Sequence, residues 1–212
     1  MFTQHRLVAL AVCILVASPA RAQELTGTLK KIETTRTVTL GHRESSIPFS
    51  YYDDKQQVIG YSHEIMLKVV DAIKRELHLP SLRVKLVPIS SQNRIALIQN
   101  GSVDLECGST SNTAERQKQV AFSNSLFIIG TRLLVKKDAG INDFPDLAGK
   151  TVVTTAGTTS ERRLREMNTD KKMNMNIISA KDHGESFLML ETGRARAFML
   201  DDVLLYGELA KA

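Results

Sequence analysis

The chain has 212 residues, 24% of them charged, and its formal net charge at pH 7 is +5. Lys and Arg are scattered along it rather than concentrated on one face, which argues against a nucleic-acid partner. Beyond the first residues there is no apolar stretch long enough to span a bilayer, so the mature protein is predicted to have no membrane span.

The first 22 residues have the pattern of a secretory signal peptide. Residues 1–6 form a short basic start, and residues 7–17 form an apolar run too short to span a bilayer. Residues 20–22 (ARA) then supply an A-x-A cleavage signal, so the mature chain is expected to begin near Gln23. Removal of this segment takes away two arginines and no acids, which lowers the formal charge from +5 to +3. We therefore predict an exported protein.

The sequence has two cysteines, Cys13 and Cys107. The first raises the question of a lipid anchor, and the second the question of whether the chain is a fragment. A lipid anchor on Cys13 is the alternative to cleavage, but the bulky Val12 stands where such sites need a small residue. Cys107 is then alone in an oxidising compartment, where a single thiol indicates a missing partner or a deliberately free thiol. The chain also ends within a predicted helix, without a closing Gly or Pro. We expect a fragment whose lost part holds the partner of Cys107.

Strand and helix patterns alternate along the mature chain, which favours an α/β fold with mostly parallel strands. An apolar-alternating strand over residues 37–40 precedes a helix over residues 64–77, whose apolar side chains form one stripe. The next elements are a strand over 84–87, a helix over 93–99, a strand over 103–106 and a helix over 114–119.

A long apolar strand over residues 126–135, interrupted by Gly130, predicts a crossover between two α/β units. The second unit has strands over 151–155, 175–179 and 195–200, helices over 160–167 and 184–192, and a helix from Asp202. The predicted division is a signal peptide over 1–22, a first lobe over 23–129, a hinge strand over 130–136 and a second lobe over 137–212.

Four junctions share one form, in which a strand is followed by a turn rich in polar or small residues and then by a helix. They cover residues 90–94, 108–111, 157–160 and 181–184. Such turns offer free backbone N–H groups and the positive end of a helix dipole, which suit carboxylates or phosphates. The alternative is that their Ser and Thr side chains only cap helices. Arginines near three of the strand ends shift the balance toward an anion site, and they are Arg43, Arg94 and Arg116.

No catalytic or metal-binding motif is present. The sequence has no G-x-S-x-G, no H-E-x-x-H and no Cys/His cluster, and its carboxylates form no obvious acid/base pair. The turn over residues 157–160 lacks the lysine of a Walker loop, so nucleotide binding is not expected. We predict no catalytic residue, metal or cofactor. His63 and His78 are predicted to be surface residues.

Long segments of the chain resemble the polar amino-acid solute-binding proteins. Residues 114–127 (AERQKQVAFSNSLF) resemble that family's signature, residues 146–161 (DLAGKTVVTTAGTTSE) the start of its second lobe, and residues 193–202 (GRARAFMLDD) a strand that ends in a ligand-binding acid. Four further segments resemble the branch of the family that binds glutamate and aspartate for an ABC importer, and they are residues 41–53, 91–101, 104–112 and 174–187.

The resemblance implies a type II periplasmic binding fold, in which two α/β lobes close over a ligand and each lobe has a mostly parallel sheet flanked by helices. It implies a periplasmic protein, expected to be a monomer, that delivers glutamate or aspartate to an inner-membrane ABC permease. In that family the chain returns from the second lobe to the first. Because this chain ends before the return, both lobes are expected to be incomplete.

The resemblance also implies how the main-chain groups of an amino acid would be bound. Arg116 would hold the α-carboxylate in a bidentate fork. Asp201, helped by Ser109, would take the α-ammonium. The residues that would add donors to the α-carboxylate are Ser111, Thr158 and Thr159. The alternative for Asp201 is a solvated side chain beside the helix cap Asp202.

The side-chain carboxylate of the ligand would be surrounded by Arg43, Ser91, Arg94 and His183. An arginine at a strand end is costly to bury without an anion, so this role explains Arg43, while a surface histidine is the alternative for His183. The rival function is a dehydratase acting on a small dicarboxylate, which would need Glu44 or Asp201 as a general acid or base. A third possibility is a truncated fragment without binding activity.

Overall fold

The computed structural model describes residues 24–212, so the predicted signal peptide over residues 1–22 lies outside the described part. The first lobe contains α1 (Gly27–Thr35), β1 (Thr37–His42), β2 (Ser45–Ser46), β3 (Ser50–Tyr52), β4 (Val58–Ile59), α2 (Tyr61–Glu76), β5 (Arg83–Pro88), α3 (Arg94–Gln99), β6 (Leu105–Glu106) and α4 (Ala114–Gln117). The second contains β7 (Thr131–Val135), a 3₁₀ helix (Phe144–Leu147), β8 (Thr151–Thr155), α5 (Thr159–Asp170), β9 (Asn176–Ala180), α6 (His183–Glu191), β10 (Ala197–Asp201) and α7 (Asp202–Lys211).

Each lobe is built on one sheet. The first sheet has the order β5-β1-β6 and is parallel throughout. The second has the order β7-β10-β8-β9, in which β10, β8 and β9 are parallel and β7 is an antiparallel edge strand. A small antiparallel sheet, β2-β3-β4, follows the end of β1. The predicted α/β fold with two mostly parallel lobes is confirmed, while the exact lobe boundaries stay a prediction.

The core of the first lobe lies between β1 and α2. Val38 and Leu40 alternate on β1, and they pack in one cluster with the helical stripe Met66, Val70 and Ile73. Spacings of three and four residues place this stripe on one face of α2, as the sequence predicts.

The second sheet buries both of its faces. Phe198 and Leu200 of β10 belong to one core cluster, and the alternating Ala197 and Met199 belong to the other. A strand covered on both faces reads as a continuous apolar run, which explains the AFML sequence of β10.

The apolar run over residues 126–135 is only partly a strand. The β7 ladder stops at Thr131, which pairs with Asp201 at the end of β10. Beyond it, Gly130 and Asp202 exchange hydrogen bonds at the start of α7, and Ile128 is 90% exposed. The prediction of a strand over residues 126–130 was wrong, because apolar composition alone supplies no pairing partner.

His63 is buried, so its predicted surface position was also wrong. Helix α2 begins three residues earlier than predicted, and the backbone N–H groups of Ser62 and His63 donate to the carbonyl of Phe49. This contact docks the first turn against the small sheet. Burial lowers the pKa of His63, and nearby His42 lowers it further.

Glu208 of α7 is a buried acid whose Oε1 has no hydrogen-bond partner within the described chain. Burial raises its pKa from 4.5 to about 7, while Lys211 opposes this shift and Asp182 adds to it. Because the folded-state pKa is the higher one, the associated stability is fully present below about pH 4.5 and is lost as the pH rises toward 7.

We therefore expect Glu208→Gln to stabilise the protein at pH 8 by about 1–2 kcal/mol and to do so less at pH 5, since it removes a buried charge only where that charge exists. Urea unfolding at both pH values measures the difference. Glu76→Gln, at an exposed position on α2, is the matched control and should not change the free energy of unfolding at either pH. An equal effect of Glu208→Gln at the two pH values would contradict the assignment.

Candidate ligand-binding site

The end of β1 carries Arg43 into the space between the lobes, where it is only 1% exposed. Its backbone N–H donates to Ser50 Oγ at 3.0 Å, and its Nη1 donates to Ser109 Oγ at 3.3 Å. Its Nε has no partner within residues 24–212. Burial lowers the pKa of the guanidinium, and the field of Glu106 is the main effect that opposes the shift. The guanidinium of Arg43 is therefore fixed in position by the protein, and its Nε–H donor is available to a ligand.

Arg94, the first residue of α3, supplies a second buried cation. It is 3% exposed, and in the described part of the chain its Nε and Nη1 lack hydrogen-bond partners, as does the hydroxyl of buried Ser91. Burial lowers the pKa of Arg94 to about 9. Ser90 and Asn93 exchange side-chain to backbone hydrogen bonds that shape the preceding turn. The turn thus presents Arg94 and Ser91 together.

His183, the first residue of α6, faces the same place from the second lobe. It is 1% exposed, and its Nδ1 lies 2.8 Å from Thr155 Oγ1 at the end of β8. Its Nε2 has no partner among the described residues. Burial lowers the pKa of His183 well below 6.5, and the charges of Arg43 and Arg94 lower it further. The imidazole is therefore neutral at pH 7.

These unpartnered atoms mark a ligand position. Buried polar atoms in folded proteins almost always have hydrogen-bond partners. Here the guanidinium groups of Arg43 and Arg94 influence each other and His183 electrostatically, and each group retains at least one buried nitrogen without a partner in residues 24–212. Two cations and a hydroxyl with unused capacity suit a carboxylate. The surface-histidine alternative for His183 is excluded.

Arg116 and Asp201 form a second part of the site. Arg116 Nη1 donates to the carbonyl of Ser111 at 3.0 Å, and Nη2 donates across to the carbonyl of Gly157 in the second lobe at 3.1 Å. Asp201 ends β10, is buried and accepts from Ser160 Oγ at 3.4 Å. Burial raises the pKa of Asp201, and the charges of Arg94 and Arg116 oppose that shift. A cation next to an acid matches the two charges of an α-amino acid.

A cavity of about 580 Å³ adjoins Arg94 and Asp201 of the site, while Arg43, Arg116 and His183 are not among its lining residues. Its lining includes Arg94, Ser109, Ser111 and Asp201, and it extends to apolar side chains of α2 and of residues 120–129. This volume is within the usual range for small-molecule sites, about 300–1,000 Å³. In residues 24–212 no cluster of His, Cys, Asp and Glu could hold a metal ion, and no helix is long and apolar enough to cross a membrane.

Two of the predicted ligand contacts, Ser109 and Thr158, are bonded to protein groups in this structure, and their roles toward a ligand stay predictions. Ser109 lies between Arg43 and Ser46, and the hydroxyl on Asp201 comes from Ser160. Thr158 caps α5, because its Oγ1 accepts from the N–H of Glu161 and donates to the carbonyl of Thr155. The hydroxyl of Thr159 faces that of Ser111 across the lobes at 3.4 Å.

Sequence reasoning missed three residues of this neighbourhood, namely Glu106, Thr155 and Ser160. Glu106 ends β6 and opposes the burial-induced lowering of the pKa in all three site arginines. Its position at the end of an apolar strand was the available signal, the same one that singles out Arg43. Thr155 and Ser160 stand in Thr/Ser-rich stretches, where nothing in the sequence distinguishes a ligand-supporting hydroxyl from a helix cap.

Two α/β lobes with a buried polar site between them define the class of two-lobe binding proteins with the type II periplasmic fold. Residues 38–192 match the model of the family described as bacterial extracellular solute-binding proteins, family 3, and the chain belongs to that family.

Individual relatives agree with this assignment. The chain is 66% identical over 202 residues to the L-glutamate/L-aspartate-binding protein of Pseudomonas aeruginosa, a match that covers 95% of this chain and 67% of that protein. It is 60% identical over 185 residues to the glutamate/aspartate import solute-binding protein of Salmonella typhimurium, covering 87% of this chain and 61% of that protein. The chain thus spans about two thirds or less of these relatives' lengths.

A solved structure also matches. The ancestral amino acid-binding protein AncCDT-1, described as a precursor of cyclohexadienyl dehydratase, has a TM-score of 0.72 and 29% sequence identity, and the match covers 87% of this chain and 79% of that one.

Proposed function

We propose that this chain is the solute-binding component of an ABC importer and binds L-glutamate and L-aspartate between its lobes. The observation that carries the proposal is a surplus of buried cations. Arg116 and Asp201 suffice for the α-carboxylate and α-ammonium of any amino acid. Arg43 and Arg94, with Nε atoms unpartnered in the described chain, remain for a second carboxylate. The names of the two bacterial relatives support the same ligands.

The mechanism is ligand-stabilised closure of two lobes, with no covalent chemistry. Contacts among the described residues already join the lobes around the site, and they include Arg116 to the Gly157 carbonyl, Ser111 to Thr159, the Gly184 N–H to Ser45 Oγ, and an ion pair of Arg162 with Glu115. A ligand held by both lobes adds contacts that exist only when they are closed. The closed monomer, exported to the periplasm, then delivers the ligand to an inner-membrane ABC permease.

Dehydratase chemistry is not favoured, because the relatives at 66% and 60% identity are named as a binding protein and an import solute-binding protein. Neither of the two candidate acids is positioned to act as a general acid or base on a bound ligand. Glu44 is exposed, and Asp201 is held by Ser160 beside the site arginines. The chain is a binding protein and not an enzyme.

Calorimetric titration with glutamate, aspartate, glutamine and arginine tests the proposal. We expect glutamate and aspartate to bind at least about tenfold more tightly than glutamine, since an amide leaves part of a buried cation uncompensated. Arginine should not bind, because its side-chain cation would face Arg43 and Arg94. Equal affinity for glutamate and glutamine would refute the acidic-ligand proposal while leaving amino-acid binding in place.

A further inference from the structure

A chain of hydroxyl groups fixes the proton on the imidazole of His183. Ser186 Oγ donates to the carbonyl of Asp182 at 2.8 Å, and a carbonyl can only accept. Ser186 has a single hydroxyl proton, so at its other contact, 2.9 Å from Thr155 Oγ1, it accepts. The hydroxyl of Thr155 is therefore the donor in its hydrogen bond with Ser186 Oγ. At the remaining contact, of 2.8 Å, Thr155 must accept from His183 Nδ1–H.

Neutral imidazole carries one proton, so Nε2 of His183 is left with a lone pair. This lone pair is buried, has no partner within residues 24–212, and lies in the field of Arg43 and Arg94. The lone pair on Nε2 interacts favourably with the two nearby guanidinium cations. It cannot form a hydrogen bond with a ligand carboxylate, because an ionised carboxylate also has only acceptor atoms.

We propose that Thr155 and Ser186 hold His183 as an acceptor at Nε2, and that binding of an acidic amino acid consequently takes up one proton from solvent. The proton joins Nε2 to the side-chain carboxylate of the ligand as N–H···O, so that two facing lone pairs become one hydrogen bond. Thr155 and Ser186 act through His183 and are positioning residues. The inference rests on the proposed function and goes beyond it by assigning a proton to the binding step.

The charges around His183 determine the sign of the pH dependence. Arg43, from the end of β1, and Arg94, from α3, both disfavour the imidazolium in the free protein. Asp182 directly precedes His183, but its carboxylate accepts from the N–H of Glu185 at 2.9 Å. The ligand carboxylate offsets the unfavourable effect of the two arginine charges on the imidazolium. Glu106, whose charge acts on the same arginines, is present in both the free and the bound protein.

The pKa of His183 therefore rises on binding. Glutamate affinity should be highest below the free-state pKa and fall by up to about tenfold per pH unit as the pH rises between the free and bound values. Glutamine differs, because its side-chain NH₂ can donate directly to the Nε2 lone pair. Its affinity should depend much less on pH, and the preference for glutamate should narrow as the pH rises.

Calorimetry at pH 6.5 in buffers of different ionisation enthalpy counts the protons directly. We expect about one proton taken up per glutamate, and no fewer than about one half, with a value near zero for glutamine. Glutamine shares the α-ammonium and the closure of the lobes, so it corrects for any proton linked to Asp201 or Glu208.

Thr155→Val removes the acceptor for Nδ1–H, which frees neutral His183 to carry its proton on Nε2 and donate without uptake. The proton count should fall toward zero while glutamate still binds. Ser186→Ala frees the Thr155 hydroxyl to donate to Nδ1, and it should have the same effect if Thr155→Val fails to fold. Thr154→Val is the matched control, because Thr154 is equally buried but donates to the carbonyl of Met199. Its count should equal that of the wild type.

Glutamate heat that is independent of buffer in the wild type would overturn the proposal, and so would an undiminished proton count in both Thr155→Val and Ser186→Ala. Absence of any glutamate binding would instead refute the proposed function, and this inference with it. A structural role alone would change affinity or stability without changing the number of protons.

Discussion

Replacing Arg43 with Met should weaken glutamate binding by about 2–5 kcal/mol, which is between roughly 30-fold and several thousand-fold. The loss is large because the guanidinium is buried and because the second carboxylate of the ligand would lose one of its two guanidinium partners, keeping Arg94 and the protonated His183. Glutamine should lose much less, since its amide needs no cation. The methionine side chain occupies much of the space of the arginine stem, which limits the effect on packing.

Arg116→Met is the matched control, since Arg116 is assigned to the α-carboxylate that both ligands carry. It should weaken glutamate and glutamine by similar factors. Calorimetric titration of the two variants with the two ligands gives four dissociation constants. If Arg43→Met weakens both ligands equally, Arg43 is not the side-chain contact, and the surplus-cation argument fails.

Much of the fold follows from local patterns in the sequence. The strand at residues 151–155 has the predicted bounds, and α2 differs from the predicted helix by three residues at its start and one at its end. These elements carry strong signals, because each buries a periodic set of apolar side chains. Helix α1 (Gly27–Thr35) was missed, since only Ile32 among its residues is buried and the stripe is too weak to detect.

The parts that could not be predicted depend on contacts distant in sequence. The end of the β7 ladder is set by the length of β10, some 65 residues further on, and no property of residues 126–130 reveals it. In the site, the arginines were found because a cation at a strand end is unusual in itself. The proton position on His183, at the start of α6, depends on Thr155, which lies 28 residues earlier at the end of β8, so it can be inferred only from the folded structure.

A close approach of the two lobes at Gly157 is the basis of the second large prediction. Gly157 follows β8 with a φ of +77°, and a Cβ added there would lie 2.7 Å from the backbone N and Cα of Gln92 and from the carbonyl carbon of Ser91. Those atoms belong to the turn that presents Arg94 in the first lobe. Because backbone atoms cannot move aside as a flexible side chain can, Gly157→Ala should hold the lobes apart at the site itself.

Gly157→Ala should therefore weaken glutamate binding by at least about 100-fold, as expected if the closed state falls to about 1% of the molecules. Glutamine should be affected to the same extent, because closure serves both ligands. The left-handed backbone alone costs an alanine about 1 kcal/mol. Gly149→Ala controls for that strain, since Gly149 has a φ of +69° and its added Cβ would meet no atom within 4 Å.

Thermal melts and titrations of the two variants separate strain from closure. Both should lose similar stability without ligand, whereas only Gly157→Ala should lose binding and the stabilisation that glutamate gives. If Gly157→Ala bound glutamate as tightly as Gly149→Ala, the contact between Gly157 and the turn at Ser91 and Gln92 would not belong to the binding state. The ligand would then be held with the lobes farther apart, and the bond from Arg116 to the Gly157 carbonyl, which depends on the same approach, would have no part in binding.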